Sequence, residues 1–404
     1  MIYLAYISVI LLSILIIFQI YIRVKYRFWS TQPVFHVYDL KYYLFPSGII
    51  SPELPEKTKF YNPSIKFSTI SSLSLYESDI FCNFIRNHYL QTDIISYSPL
   101  KENIAPYFEG HNNKSYISIK YENEMLINST TNAVTNREKI VSCMTSRPLF
   151  CEIFPKSSSP PPMFEINYVD YLCVDNSYRG KGLASETIYT HEYNTQRQHN
   201  KVPVSLFKRE DTIMGIVPLC TYDSIGFDMR KWTKLPDLHE NIGKIVLCDA
   251  SNYYLINDFI SEIKTQFDIY ISSFYGNIIE LMKTQNIYIY MFIDTSGKIQ
   301  SVYFFRNSCT WYDNNSAKSL NLFASIKNKT NNELFAHGCK IAITKIIDTH
   351  KDYVYFLAEN ISNNDIIIDN LKQKSSVVIQ SPTSYFFYNF ACNSFNSNKV
   401  LLIN

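Results

Sequence analysis

The run Tyr168-Val169-Asp170-Tyr171-Leu172-Cys173-Val174, then Asp175-Asn176-Ser177-Tyr178, then Arg179-Gly180-Lys181-Gly182-Leu183-Ala184-Ser185 changes character twice. Its first seven residues are β-branched and aromatic, which predicts a strand. Four polar residues make a short turn. Two glycines alternating with two cations then open a predicted helix that continues to His191. At a helix start the backbone N–H groups have no intrahelical partner. Gly180 and Gly182 lack a Cβ, so a ligand can approach the main chain closely. Arg179 and Lys181 add positive charge. Strand, glycine turn and helix N-terminus together form a cradle suited to a diphosphate. An ordinary strand-to-helix turn is the alternative reading of this segment alone.

The rest of the chain bounds what such a cradle can serve. At 404 residues it is long enough for two domains or one of double length. Its 46% hydrophobic content excludes disorder, and a net charge of +2 gives no footing for a nucleic-acid surface. The nine cysteines are scattered without metal-ligand spacing, and the eight histidines show no HExxH pattern. Both point to reduced thiols in a cytosolic compartment and to no metal site.

Residues 2–22 carry no charge and are mostly Ile, Leu, Val, Tyr and Phe; Arg23, Lys25 and Arg27 follow at once. About 20 apolar residues span a bilayer as a helix. Basic residues on its C-terminal flank predict a single-pass membrane protein with its body in the cytoplasm. A cleaved signal peptide and a buried core helix are the alternatives. Next come Tyr26-Arg27-Phe28-Trp29, aromatic faces and a cation that fit an adenine or pantetheine arm and a phosphate. A juxtamembrane aromatic belt has the same composition.

From residue 241 the alternation of strands and helices begins again. Apolar runs at 245–248, 287–293 and 301–305 precede a helical spacing over 334–346 and strands at 353–357 and 376–380. The chain closes on Ser384-Tyr385-Phe386-Phe387-Tyr388-Asn389-Phe390-Ala391-Cys392 and Lys399-Val400-Leu401-Leu402-Ile403-Asn404, an apolar strand that predicts a buried last residue.

Arg179-x-x-Gly182-x-Ala184 resembles the acyl-CoA pyrophosphate loop of the GNAT acyltransferase superfamily. With Tyr171-Leu172-Cys173-Val174, Tyr26-Arg27-Phe28-Trp29-Ser30-Thr31-Gln32-Pro33-Val34 and the closing segment, the chain resembles the glycylpeptide N-tetradecanoyltransferases (N-myristoyltransferases). The resemblance implies an α+β fold (an α/β sandwich) of two fused GNAT acyltransferase-like halves with pseudo-two-fold symmetry, preceded by one transmembrane helix. The expected division is 1–22 anchor, 23–240 acyl-CoA-binding half, and 241–404 second half supplying the peptide site and the terminal carboxylate.

It further implies a reaction. Myristoyl-CoA is the co-substrate, with no permanently bound cofactor. Tyr26, Arg27, Phe28, Trp29, Cys173, Val174, Arg179, Gly180, Lys181, Gly182, Leu183, Ala184 and Ser185 would hold it. The main-chain N–H groups of Tyr171 and Leu172 would form the oxyanion hole, which requires a β-bulge. The α-carboxylate of Asn404 would take the proton from the N-terminal glycine of an acceptor polypeptide. Tyr97, Tyr222 and Glu359 would border the acceptor. Leu219, Thr221 and the strand 321–325 depart from the family pattern, so the acceptor pocket differs. Residues 107–135 carry little of the resemblance and read as a divergent loop, and the Ser/Pro-rich 156–162 as a solvated hairpin loop. Another acyl-CoA-dependent N-acyltransferase, and an inactive acyl-CoA- or lipid-binding membrane scaffold, are the competing readings.

Overall fold

A computed structural model describes residues 2–46, 48–127, 134–154, 162–198, 202–210, 215–312 and 316–404. The loop expected at 156–162 falls almost wholly outside them. The polypeptide begins with helix α1 (Ile2–Lys25), apolar around its whole circumference, and 6% of its apolar window is buried. It is long and apolar enough to cross a membrane. It meets the body at its foot, where Ile22 is buried against Gly215.

Helix α2 (Leu75–His88) starts on a capping box: the Ser74 hydroxyl accepts from Glu77 N–H, and the Glu77 carboxylate accepts from Ser74 N–H. The strands of the first half are β1 (Ile65–Thr69), β2 (Tyr116–Ile127), β3 (Val134–Ile153) and β4 (Met163–Val174). Helix α3 (Leu183–Gln198), β5 (Ser205–Glu210) and β6 (Cys220–Asp228) follow. The second half holds β7 (Gly243–Leu247), α4 (Tyr253–Ile263), β8 (Ile269–Ser272), α5 (Tyr275–Lys283), β9 (Ile287–Asp294), β10 (Ile299–Tyr312) and β11 (Ala317–Lys327). It ends with α6 (Asn332–Thr349), β12 (Tyr353–Glu359), α7 (Asn364–Lys372), β13 (Val377–Tyr388) and β14 (Val400–Ile403).

Among the described residues these strands form one large twisted sheet in the order β14-β8-β3-β4-β5-β13-β6-β12-β11-β10-β9-β7, with β2 also on β3 and β1 on β2. Two strand–helix–strand units, β4-α3-β5 and β11-α6-β12, each pair their strands in parallel. They mark the two GNAT-like halves. The halves are interlaced: β13 lies between β5 and β6, and β14 pairs with β8, which pairs with β3.

Two expectations change. Residues 116–127 are a strand, because Tyr116, Ile117 and Ile119 bury on the core while β3 pairs along its whole length and β1 along Tyr116–Lys120. The segments read as separate strands around 376–380 and 384–388 are one strand, β13, running through Pro382.

Candidate active site

The site starts from a break in the β3–β4 ladder. Cys143 opposes Cys173 and Thr145 opposes Asp170, so Met144 alone faces both Tyr171 and Leu172. This is the expected β-bulge. Tyr171 takes φ +38°, a left-handed conformation that costs a bulky residue about 1–3 kcal/mol. Its side chain is boxed to hold it there. The ring packs edge-on against Phe81 and Tyr89, with centroids 6.2 and 5.6 Å away, and its hydroxyl shares a 2.9 Å hydrogen bond with Tyr97. Burial pushes both phenols far above their ordinary pKa, so both stay neutral.

Beside the bulge the sheet opens. β4 and β5 pair at Asn167–Ser205, Tyr168–Leu206 and Val169–Phe207 and then diverge. In the second half β11 and β12 stay paired over five positions, to Leu322–Ala358. A cavity of about 1030 Å3 occupies the first-half opening. The glycine turn forms one end of it. The Asp175 carboxylate accepts from the Ser177 N–H and hydroxyl at 2.8 and 2.6 Å, which closes the preceding turn. Gly180 and Gly182 sit at φ +77° and +82°, with nothing within 4 Å of where a Cβ would stand. Their backbone therefore faces open space at the start of α3. Arg179 is anchored by its Nη2 donating to the His88 carbonyl at 2.8 Å.

Of the residues expected to hold the acyl-CoA, Cys173, Val174, Arg179, Gly180, Gly182 and Leu183 line this cavity, as do Ala184 and Trp29. The Trp29 ring stacks on Phe207 at 5.3 Å. Tyr26, Arg27, Phe28, Lys181 and Ser185 are not part of its wall. Phe28 is buried edge-on against Phe60, and the Lys181 ammonium lies over the Tyr178 ring at 4.9 Å.

The other end gathers residues from both halves. Asn404 is 2% exposed, carried in by β14. Arg306 Nη2 donates to its main-chain oxygen at 2.6 Å and to its Oδ1 at 2.9 Å. The guanidinium lies 4.4 Å over the Phe323 ring. Glu359 accepts from Tyr222 Oη at 2.6 Å, Lys208 Nζ at 3.0 Å and Asn321 Nδ2 at 3.1 Å. Burial pushes this carboxyl up, but Lys208, Arg306 and the Tyr222 hydroxyl outweigh it and hold it below the ordinary range, so it is ionised. Tyr97, Tyr171, Leu172, Glu359 and Asn404 all face the cavity, and Tyr222 reaches it through Glu359.

Sequence reasoning passed over Arg306, Arg147, Asp170 and Lys208. Arg147 is 2% exposed and donates to Asp170 at 2.8 Å, with its cation 5.1 Å from the Tyr168 ring. The available signal was a charge inside an apolar strand, as in Val302-Tyr303-Phe304-Phe305-Arg306.

Among the described residues no three His, Cys, Asp or Glu side chains are grouped to hold a metal, and all nine cysteines are unpaired. No protein-family model matches the chain, and no curated protein does. Solved structures do. Saccharomyces cerevisiae N-myristoyltransferase with bound myristoyl-CoA superposes at a TM-score of 0.67, covering 92% of this chain and 94% of that one at 15% identity. The chain has the N-myristoyltransferase fold. A second structure of the yeast enzyme with myristoyl-CoA gives a TM-score of 0.68 at 14% identity, covering 92% and 90%. A tandem GNAT protein from the clavulanic acid biosynthesis pathway gives 0.52 at 9%, covering 82% of this chain and all of its own. The N-myristoyltransferase fold accounts for the two parallel strand–helix–strand units. Only the first carries a glycine turn; in the second the Asn331 side chain caps α6 by accepting from Leu334 N–H, occupying the helix start.

Proposed function

We propose that the chain is a divergent, membrane-anchored glycylpeptide N-tetradecanoyltransferase that moves the myristoyl group of myristoyl-CoA onto the N-terminal glycine amine of acceptor polypeptides. One observation carries this reading: a single cavity is walled by the glycine turn, the Tyr171–Leu172 bulge, Asn404 and Glu359. The likeness in fold to a yeast enzyme solved with myristoyl-CoA supports the same donor.

In this reading the CoA diphosphate rests on the main-chain N–H groups of residues 180–184, with Arg179 beside it. The thioester carbonyl points at the N–H groups of Tyr171 and Leu172. The main-chain carboxylate of Asn404 removes a proton from the acceptor's ammonium, whose pKa of about 7.7–8.0 lets a weak base suffice near neutrality. The freed amine attacks the thioester carbon. The resulting oxyanion is held by the two N–H groups, each worth roughly 3–4 kcal/mol. The C–S bond then breaks, the amide forms, and CoA leaves as a thiolate that takes up a proton. No side-chain nucleophile and no resident cofactor takes part. Tyr97, Tyr222 and Glu359 border the acceptor, and the ionised Glu359 favours a basic side chain.

The anchor fits the same account. Trp29, in the cavity wall, follows α1 after three residues, so the site lies against the bilayer on its cytoplasmic side. Residues 23–240 hold the acyl-CoA, and 241–404 bring Glu359 and Asn404.

The test is incubation of the full chain in detergent micelles with a glycine-initiated peptide and either myristoyl-CoA or acetyl-CoA, read by mass. Myristoylated peptide is expected. Acetylation alone would point to another acyl donor, and no transfer with intact acyl-CoA binding to an inactive scaffold. Appending a few residues after Asn404 is expected to abolish transfer while acyl-CoA still binds. Residual transfer would remove Asn404 as the base.

A further inference from the structure

Between α1 and β1 the chain carries apolar side chains that the core does not take. Leu40, Leu44 and Phe45 are 58, 73 and 71% exposed, on and just after the short helix Leu40–Leu44. Leu40 and Leu44 are four residues apart, so they share one helix face. The helix is held to the body through Tyr42 and Tyr43, which the buried Phe35 ring meets edge-on with centroids 5.5 and 4.8 Å away. The segment rejoins the body where Gly48 pairs with Ala391. A single exposed apolar side chain needs no explanation, but three within six residues form a patch, and patches mark contacts.

What the patch meets follows from where α1 ends. The last turn of α1 carries Arg23, and the Tyr38 hydroxyl stands within hydrogen-bond reach of it. Ile22 packs against Gly215, whose carbonyl accepts from the Val37 N–H at 3.1 Å. The residues just before the patch are thus pinned to the end of the apolar span. From Tyr38 the chain runs two residues to Leu40, at most about 7 Å. The helix then adds about 6 Å to Leu44. That reach is comparable to the headgroup layer on each face of a bilayer, about 5–8 Å deep. Charge agrees. Between residues 23 and 45, Arg23, Lys25, Arg27 and Lys41 are set against one carboxylate, Asp39. That carboxylate is engaged: its Oδ2 accepts from the His36 N–H at 3.0 Å and lies 3.2 Å from the ring Nδ1. Exposed aliphatic and aromatic side chains flanked by cations suit the anionic cytoplasmic surface of a membrane.

We propose that Leu40, Leu44 and Phe45 form a second membrane contact, dipping into the cytoplasmic leaflet beside α1. This rests on the reading of α1 as a transmembrane anchor and adds a second point of attachment to it. One helix leaves a body free to swivel about its axis; two contacts fix its orientation. Trp29, in the cavity wall, lies between the two contacts along the chain, and its carbonyl is 3.0 Å from His36 Nε2. The donor side of the cavity is thereby held at the membrane surface, where a long-chain acyl thioester concentrates by burying its hydrocarbon.

The experiment places a nitroxide on the full chain in vesicles of phosphatidylcholine and phosphatidylserine, at Leu44→Cys, at Ile10→Cys within α1, or at Asp369→Cys, an exposed position on α7. Wild type given the same reagent supplies the blank. Oxygen dissolves in the bilayer and a charged nickel chelate stays in water, so the ratio of the two collision rates reports depth. The label at 44 is expected to show a ratio at least ~3-fold above the label at 369, with the label at 10 higher still. A label at 44 that matches the one at 369, while the label at 10 reports lipid, overturns the second contact and leaves the anchor standing. A label at 44 shielded from both reagents and broadened by a neighbouring nitroxide would mean that a second copy of the chain covers the patch, and overturns it too. A label at 10 that matches the one at 369 overturns the anchor and the second contact with it.

Discussion

At the scale of single residues, the contact that sets this site apart is Arg306 on Asn404. A guanidinium donates to the proposed base at 2.6 Å and fixes its direction. A nearby positive charge favours the ionised form of a carboxyl group, so removing it tests the assignment. In Arg306→Met the carboxylate would be left with its guanidinium partner gone. The acidic limb of the kcat/KM–pH profile is then expected to move to higher pH, with kcat/KM at pH 7 at least ~10-fold lower. A profile that keeps its shape would assign Arg306 to packing alone.

Glu192 gives a second prediction at this scale. Burial raises its folded-state pKa from the ordinary 4.5 to about 7, so the folded protein binds this proton more tightly than the unfolded one does. Stability is therefore greatest below pH 4.5 as far as this group is concerned, and falls as the pH rises through 7. The full loss is about 3 kcal/mol. Glu192→Gln should remove this slope, so its denaturation midpoint should gain on the wild type between pH 5 and pH 7.5. His191, beside it, works the other way. Burial lowers its pKa to about 3, so its contribution is present above pH 6.5 and is lost towards acid.

At the scale of elements, the two strand–helix–strand units differ in what their turns leave open. β4 and β5 part after three pairs, and the turn into α3 carries two left-handed glycines. β11 and β12 stay together, and the turn into α6 is closed by an asparagine cap. Gly182→Ala tests the turn. The added methyl would meet no atom, so its penalty is conformational, about 1–2 kcal/mol for a left-handed L-residue. It would also stand where a diphosphate must approach the backbone. CoA affinity measured by calorimetry is expected to fall at least ~10-fold, with a drop in unfolding free energy of about 1 kcal/mol. The glycine turn was legible in the sequence because strand, turn and helix signals are local. The asparagine cap was local too, but it carries meaning only beside its counterpart.

At the scale of the whole molecule, the two halves cannot be separated without stripping strands from each other. β13 supplies the partner that both β5 and β6 need, and β14 reaches the first half through β8. Thermal unfolding of the body is expected to be a single cooperative transition by circular dichroism and by tryptophan fluorescence. Residues 23–240 expressed alone should fail to give a protected amide core in hydrogen exchange, because the edges of β5 and β6 would be open. Two separate transitions would count against interlacing as a source of stability.

The sequence by itself determined what depends on neighbours along the chain: the apolar length of α1, the glycine-bearing helix start, the repeat of strand and helix, and the burial of the last strand. Hydropathy period, glycine placement and chain length carry those directly. Tertiary structure alone decided which distant groups meet. Arg306 and Asn404 are 98 positions apart, Tyr222 and Glu359 137, and Lys208 and Glu359 151. Asn404 is brought in by β14 pairing with β8, Tyr222 meets Glu359 because β6 pairs with β12, and Lys208 reaches Glu359 only with β13 between β5 and β6. Strand order in a sheet is fixed by long-range pairing and shared core burial, and no local period encodes it.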